Sequence, residues 1–164
     1  MAFLRVASLA VLAIWVGGLA ALGLVAAPTI FATLEAQDPA GGRALAGVVF
    51  GAIFERFQHW AWGLGLLLMG LLAVRALLGP RPRRLAVRMW VIAGMLGLSL
   101  ASALVIAPRI DQIRSETSGP VASLPDTDPR KATFGRLHGL SNALMLVTLV
   151  AGLGLFWAET KDSH

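Results

Sequence analysis

The chain has 164 residues, 57% of them hydrophobic and only 14% charged, whereas an ordinary soluble domain carries about a quarter charged residues. It contains no cysteine, which excludes a disulfide framework, thiolate metal sites and thiol nucleophiles. The formal charge of +5 does not indicate nucleic-acid binding, because the arginines flank apolar runs instead of lining a soluble basic face.

Those apolar runs are long enough to cross a bilayer. They predict an all-α, up-down-up-down four-helix bundle, a single transmembrane domain over residues 1–164 with spans at about 6–34, 57–78, 85–107 and 134–158. The first run follows Arg5 and passes a small-residue stretch, Leu24-Val25-Ala26-Ala27, that resembles a signal-peptidase site. Its apolar length, about twice that of a signal core, and Pro28 directly after the apparent cut favour a retained helix.

Pro39, Gly41 and Gly42 break the chain before the second span. Between Arg43 and Gln58, apolar Leu45, Val48, Val49, Phe50, Ile53, Phe54 and Phe57 recur at helical spacing. A helix running from there to Leu78 would be about 50 Å long, more than the roughly 30 Å hydrocarbon layer, so its outer end is expected to project. Ile110 and Ile113, after Pro108, are expected to extend the third helix outward beside it.

The second connection, Gly79 to Arg84, is a tight turn rich in Pro and Arg. Arg75, Arg81, Arg83, Arg84 and Arg88 cluster around it with no acidic residue in that stretch of sequence, so the positive-inside rule places it and both termini in the cytoplasm. The segment 109–133 then lies outside. Its Pro120, Pro125 and Pro129 forbid a continuous helix, and a loop is expected. Small residues at four-residue spacing, Ala13 with Gly17, Ala61 with Gly65, Ala93 with Gly97 and Ala101, and Gly139 with Ala143, are expected to let the helices pack closely.

Counted upward at 1.5 Å per residue from the arginine end, His59, His138 and Arg109 all fall about 30 Å up, near the outer edge of the hydrocarbon. Glu55 sits one turn from His59, and Ser141 and Asn142 one turn from His138. The cytoplasmic half carries almost nothing polar except Arg75, which can snorkel. Ionisable groups at membrane depth mark a site by default, and the candidate polar site is therefore Glu55, His59, Arg109, His138, Ser141 and Asn142. Arg56 and Arg136 suit lipid anchoring, while Trp60, Trp62, Trp90 and Trp157 suit interfacial belts.

Two readings of that cluster compete. In one, a non-enzymatic protein joins its helices there and contacts a lipid, a partner or a small solute. In the other, His59 and His138 ligate copper or a haem iron, with Met69, Met95 and Met145 either a thioether path or plain core filler. No paired carboxylate lies at membrane depth, and a His138–Ser141 dyad has neither an orienting acid nor oxyanion donors, so no enzyme and no cofactor are expected in the first reading. No inverted repeat of the transporter kind is visible. The bilayer is the expected partner, with a homo-oligomer as a further option.

The chain resembles the bacterial relatives of transmembrane protein 205. The resemblance rests on Trp15-Val16-Gly17-Gly18, Ala27-Pro28-Thr29-Ile30-Phe31, Ala46-Gly47 through Phe50, Ile53-Phe54, Arg56-Phe57, Pro108-Arg109, Phe134 and Arg136-Leu137-His138-Gly139-Leu140-Ser141-Asn142. It implies a small four-helix protein of the bacterial inner membrane and supplies no catalytic assignment.

Overall fold

The computed structural model describes residues 2–79, 84–117 and 119–161. Four helices are each long and apolar enough to cross a membrane: α1, Phe3–Gln37; α2, Gly42–Leu78; α3, Leu85–Ser115; and α4, Pro129–Lys161. The second begins at the glycine break and runs unbroken for 37 residues. Apart from Gly79 and Arg84, the tight turn expected between α2 and α3 lies outside the described residues. Arg84 enters α3 from the left-handed region, at φ 55°.

The helices form a ring in which α1 touches α2, α2 touches α3, α3 touches α4 and α4 closes on α1, leaving α1 and α3 on one diagonal and α2 and α4 on the other. Both termini and the α2–α3 turn lie at one end, here the termini end. The Asp38 turn and the 116–128 loop lie at the other, the loop end. Leu12, Trp15, Leu19, Leu68, Leu72, Ile92, Met95 and Leu155 fill the middle, while Leu66, Leu77, Leu104, Leu146 and Leu153 stay exposed. In lipid an exposed leucine costs nothing, because acyl chains are as apolar as the core. Met95 is buried in that core and Met69 and Met145 pack against it.

α1 and α3 each contain one wide turn, Leu22–Ala26 and Ser102–Ile106, in which Ala27 N donates to the Leu22 carbonyl and Ala107 N to the Ser102 carbonyl. Each wide turn precedes a proline, Pro28 or Pro108. A proline has no N–H to donate and its ring crowds the preceding turn, and a residue added to that turn lets the helix continue. The pairing beyond these turns differs from expectation. The outer segment of α1, 27–37, packs on α2 and the outer segment of α3 packs on α4, so α1 provides most of the cover for the outer part of α2. Arg114 reaches across from α3, its guanidinium lying against Gly47.

Of the small-residue pairs, only Ala61 and Gly65 turn inward. A Cβ on Gly65 would come within 2.6 Å of Leu96 Cδ2 and 3.0 Å of the Trp15 ring, whereas Gly17, Gly97 and Gly139 have nothing within 4 Å. The expectation that the other three ridges mediate packing inside the bundle is corrected: Gly17, Gly97, Ala101, Gly139 and Ala143 are exposed, because their helices turn other faces inward. Gly42 is different again, because a Cβ there would collide with the backbone carbonyl of Leu34. Asp38 Oδ1 accepts from Ala40 N and Gly41 N at 3.1 and 3.0 Å and fixes this turn.

The expected long loop is shorter than 109–133, because α3 continues to Ser115 and α4 starts at Pro129. Asp128 caps α4, accepting from Arg130 N at 2.9 Å and from its guanidinium at 2.7 Å. Pro129 then occupies a first-turn position where no donor is needed. Lys131 Nζ donates to Asp126 and to the Leu124 carbonyl.

Two predictions follow from these geometries. Gly42→Ala should destabilise the bundle by about 1–3 kcal/mol, since a rigid carbonyl must shift, while Gly17→Ala should leave unfolding in mixed micelles within about 0.5 kcal/mol of the parent. Hydrogen bonds from Lys131 and Arg130 hold the Asp126 and Asp128 carboxyls below their ordinary value of 3.8. Depressed acids contribute order that is complete above the unfolded value and lost as pH falls through the lower folded value. Pepsin cleavage of the 116–128 loop should therefore rise more steeply below pH 3.8 in the parent than in an Asp126→Asn, Asp128→Asn variant.

Candidate functional site

The residues singled out by depth do not converge. Glu55, His59, Arg109, His138 and Asn142 are all exposed. His59 Nδ1 donates to the carbonyl of Glu55 in its own helix at 2.8 Å, and its ring tilts against Trp62 with centroids 4.8 Å apart. His138 stacks on Phe134. The expectation that these groups face the bundle interior is corrected: α2, α3 and α4 each present them on the outer side, and His59 and His138 stand on helices diagonal to each other. Among the described residues no group of three or more His, Asp or Glu side chains gathers to hold a metal ion. Arg56 and Arg136 are exposed as well.

Only Ser141 of that set belongs to an interior cluster. Its hydroxyl lies 3.4 Å from that of Ser102, within a polar layer that α2, α3 and α4 build together. Trp62 Nε1 donates to Ser99 Oγ at 2.9 Å, and Ser99 Oγ in turn donates to Gln58 Oε1 at 2.7 Å. Thr148 is buried one layer deeper and donates to the Leu144 carbonyl of its own helix. Trp62 is thus no member of an outer aromatic belt, unlike Trp60, which is 75% exposed. Leaving an indole N–H unpaired in hydrocarbon costs several kcal/mol, by rough transfer estimates, so an inward turn to a hydroxyl is favoured. Gln58, Ser99, Ser102, Ser141 and Thr148 line a cavity of about 10 Å³, with Trp15 and Leu19 on its α1 side.

A second interior cluster lies about 16 Å along the bundle, near the termini end. Glu159 on α4, 2% exposed, accepts from Arg75 of α2 and Arg88 of α3, each at 2.7 Å. Arg88 also donates to the Ala158 carbonyl at 3.1 Å, and Arg5 of α1 to the Thr160 carbonyl at 3.3 Å. Every helix contributes to this layer. The view of the termini half as empty apart from a snorkelling Arg75 is corrected, since Arg75 is 9% exposed and Arg88 5%. Two charged hydrogen bonds satisfy both carboxylate oxygens and explain why the arginines stay buried. The acid escapes a reading of the sequence because it lies far along the chain from the arginine cluster, just beyond the expected fourth span of 134–158.

The fold and these two clusters define a four-helix integral membrane protein closed by polar ties at two levels. The chain belongs to a family described as a domain of unknown function (DUF4149), whose model matches residues 10–118. No curated protein and no solved structure matches it.

The polar layer can be tested directly. Ser99→Ala removes an acceptor from Trp62 and a donor from Gln58, and should destabilise the bundle by roughly 0.6–2 kcal/mol. It should also shift Trp62 indole N–H resonance, whereas Ser115→Ala, at an exposed position, should do neither.

Proposed function

We propose that the protein is a non-enzymatic membrane protein that acts by binding a transmembrane helix of a partner against the outer face of α4 near the loop end. The observation that carries this reading is Asn142: it lies within an apolar span, is exposed, and makes no hydrogen bond among the described residues. It shares its helix face with Gly135, Gly139 and Ala143, all exposed, and a Cβ on either glycine would have open space before it. Small residues that admit a second backbone, with an amide able to bond across the contact, are the features of helix association in lipid.

His138 and Arg136 flank this face, and Glu55, His59 and Arg109 extend the polar surface at the loop end. The arginine excess near the α2–α3 turn supports an orientation with the loop end outside and both termini in the cytoplasm of a bacterial inner membrane. The order of the motifs from Trp15-Val16-Gly17-Gly18 to Arg136 through Asn142 supports kinship with transmembrane protein 205. A copper or haem reading requires the outward His59 and His138 to meet between subunits. It would show as bound metal or visible absorption in the purified protein.

The absence of native cysteine makes the test clean. Gly139→Cys should give an oxidative cross-link in native membranes, to a second copy or to a heavier partner, and Leu153→Cys on another exposed part of α4 should not. Asn142→Leu should weaken the association at least tenfold. Equal cross-linking at both positions, with no effect of Asn142→Leu, would rule out this face. An impermeant maleimide applied to intact cells should label Thr127→Cys and spare Arg84→Cys; the reverse pattern would overturn the orientation.

A further inference from the structure

We infer that the chain is two copies of one helical hairpin, and that divergence between the copies has opened an interior site for a water-sized, uncharged, hydrogen-bonding molecule. The repeat is visible at a separation of 80 residues without a gap. Ala13, Gly17 and Ala21 correspond to Ala93, Gly97 and Ala101; Leu24-Val25 to Leu104-Val105; Ala27-Pro28 and Ile30 to Ala107-Pro108 and Ile110; and Phe54 and Arg56 to Phe134 and Arg136.

The backbone repeats with the sequence. The wide turns Leu22–Ala26 and Ser102–Ile106 stand at the same separation. Burial repeats too, since Leu12 and Ile92, Trp15 and Met95, and Leu72 and Gly152 are buried pairwise. Corresponding helices run in the same direction and occupy the diagonals of the ring. The two hairpins are therefore related by a pseudo-two-fold axis along the bundle, a parallel repeat as distinct from an inverted one.

Four of the differences between the copies fall at interior positions. Where the first hairpin has Leu19, Leu22, Ala61 and Leu68, the second has Ser99, Ser102, Ser141 and Thr148. All four hydroxyl residues border the 10 Å³ cavity, which takes up space that side chains the size of Leu19, Leu22 and Leu68 would fill at positions 99, 102 and 148. The first hairpin contributes Gln58, 6% exposed, whose carbonyl is spent on Ser99. Its amide N–H groups have no partner among the described residues, and the side chain lines the cavity.

A guest there accepts from the Gln58 amide and donates to a Ser102 or Ser141 hydroxyl. It is uncharged, since no charged side chain lines the cavity and an unpaired ion in such a place is prohibitively costly. It is the size of water, since a cavity of roughly 10–15 Å³ seats one.

A structure of the full chain in lipid nanodiscs, at a resolution that shows ordered water, tests this with water as the probe. The result expected is a peak within hydrogen-bond distance of Gln58 Nε2 and of Ser102 or Ser141 Oγ, lost in Ser102→Leu, which restores the first-hairpin residue. Should Ser102→Leu fail to fold, Ser141→Ala serves instead, with the peak lost or displaced while the Trp62–Ser99 contact persists. A dry cavity in the parent, or a peak unchanged in both variants, would overturn the proposal.

Discussion

Glu159, buried among the helices, accepts from two arginines on two other helices, and the termini end of the bundle is organised around it. A lone carboxylate there would be drawn out toward water, and lone arginines would snorkel. Together they remain buried, and the side chain of α4 fixes where α2 and α3 stand and how each is rotated. An ion pair of this kind adds little net stability over an apolar replacement, but removing one partner leaves an uncompensated charge. Its contribution is registry: in a membrane, where helices gain almost nothing by hiding leucine from lipid, rotation about the helix axis has few other determinants.

The second polar layer does the same at the other level. Trp62, Ser99 and Gln58 tie α2 to α3, and Ser102 approaches Ser141 on α4. Between the two layers the core is apolar and closely fitted, with Trp15 against Gly65 and Val16 against Gly152. Above them, Pro28 and Pro108 with their wide turns redirect α1 and α3 at one height, so each outer segment leans on the helix that follows it. The interior is thereby closed at the termini end by charge and interrupted near the loop end by a small wet chamber, while the outer surface retains unpartnered polar groups.

The four spans were legible because length and charge spacing dictate them, and the start of α2 was legible because glycine and proline break helices wherever they cluster. Rotation was not. A helix that is apolar on all sides has no polar face to reveal which side is inside, so the estimated depth of His59 and His138 carried no information on where they point. The ridges at Gly17, Gly97 and Gly139 misled for the same reason. Glu159 and its arginines are far apart in sequence, and only the closing of the ring brings them together. Gln58, Ser99 and Ser102 did not stand out as Ser141 did, because uncharged polar residues are common in spans. The signal that could have found them was the comparison of the two hairpins, in which leucine and alanine of one become serine and threonine of the other.

Buried polar ties, and not apolar burial, specify this bundle. A double-mutant cycle on Arg88→Met and Glu159→Leu, followed by reversible unfolding in bicelles, tests it most directly. Glu159→Leu, which leaves two buried arginines unpaired, should cost about 3–5 kcal/mol; Arg88→Met, which leaves Glu159 paired with Arg75, should cost less; and the double replacement should cost less than their sum, because Arg88→Met removes one of the two charges that Glu159→Leu leaves unpaired. Additive single effects, or single effects below about 0.5 kcal/mol, would contradict it.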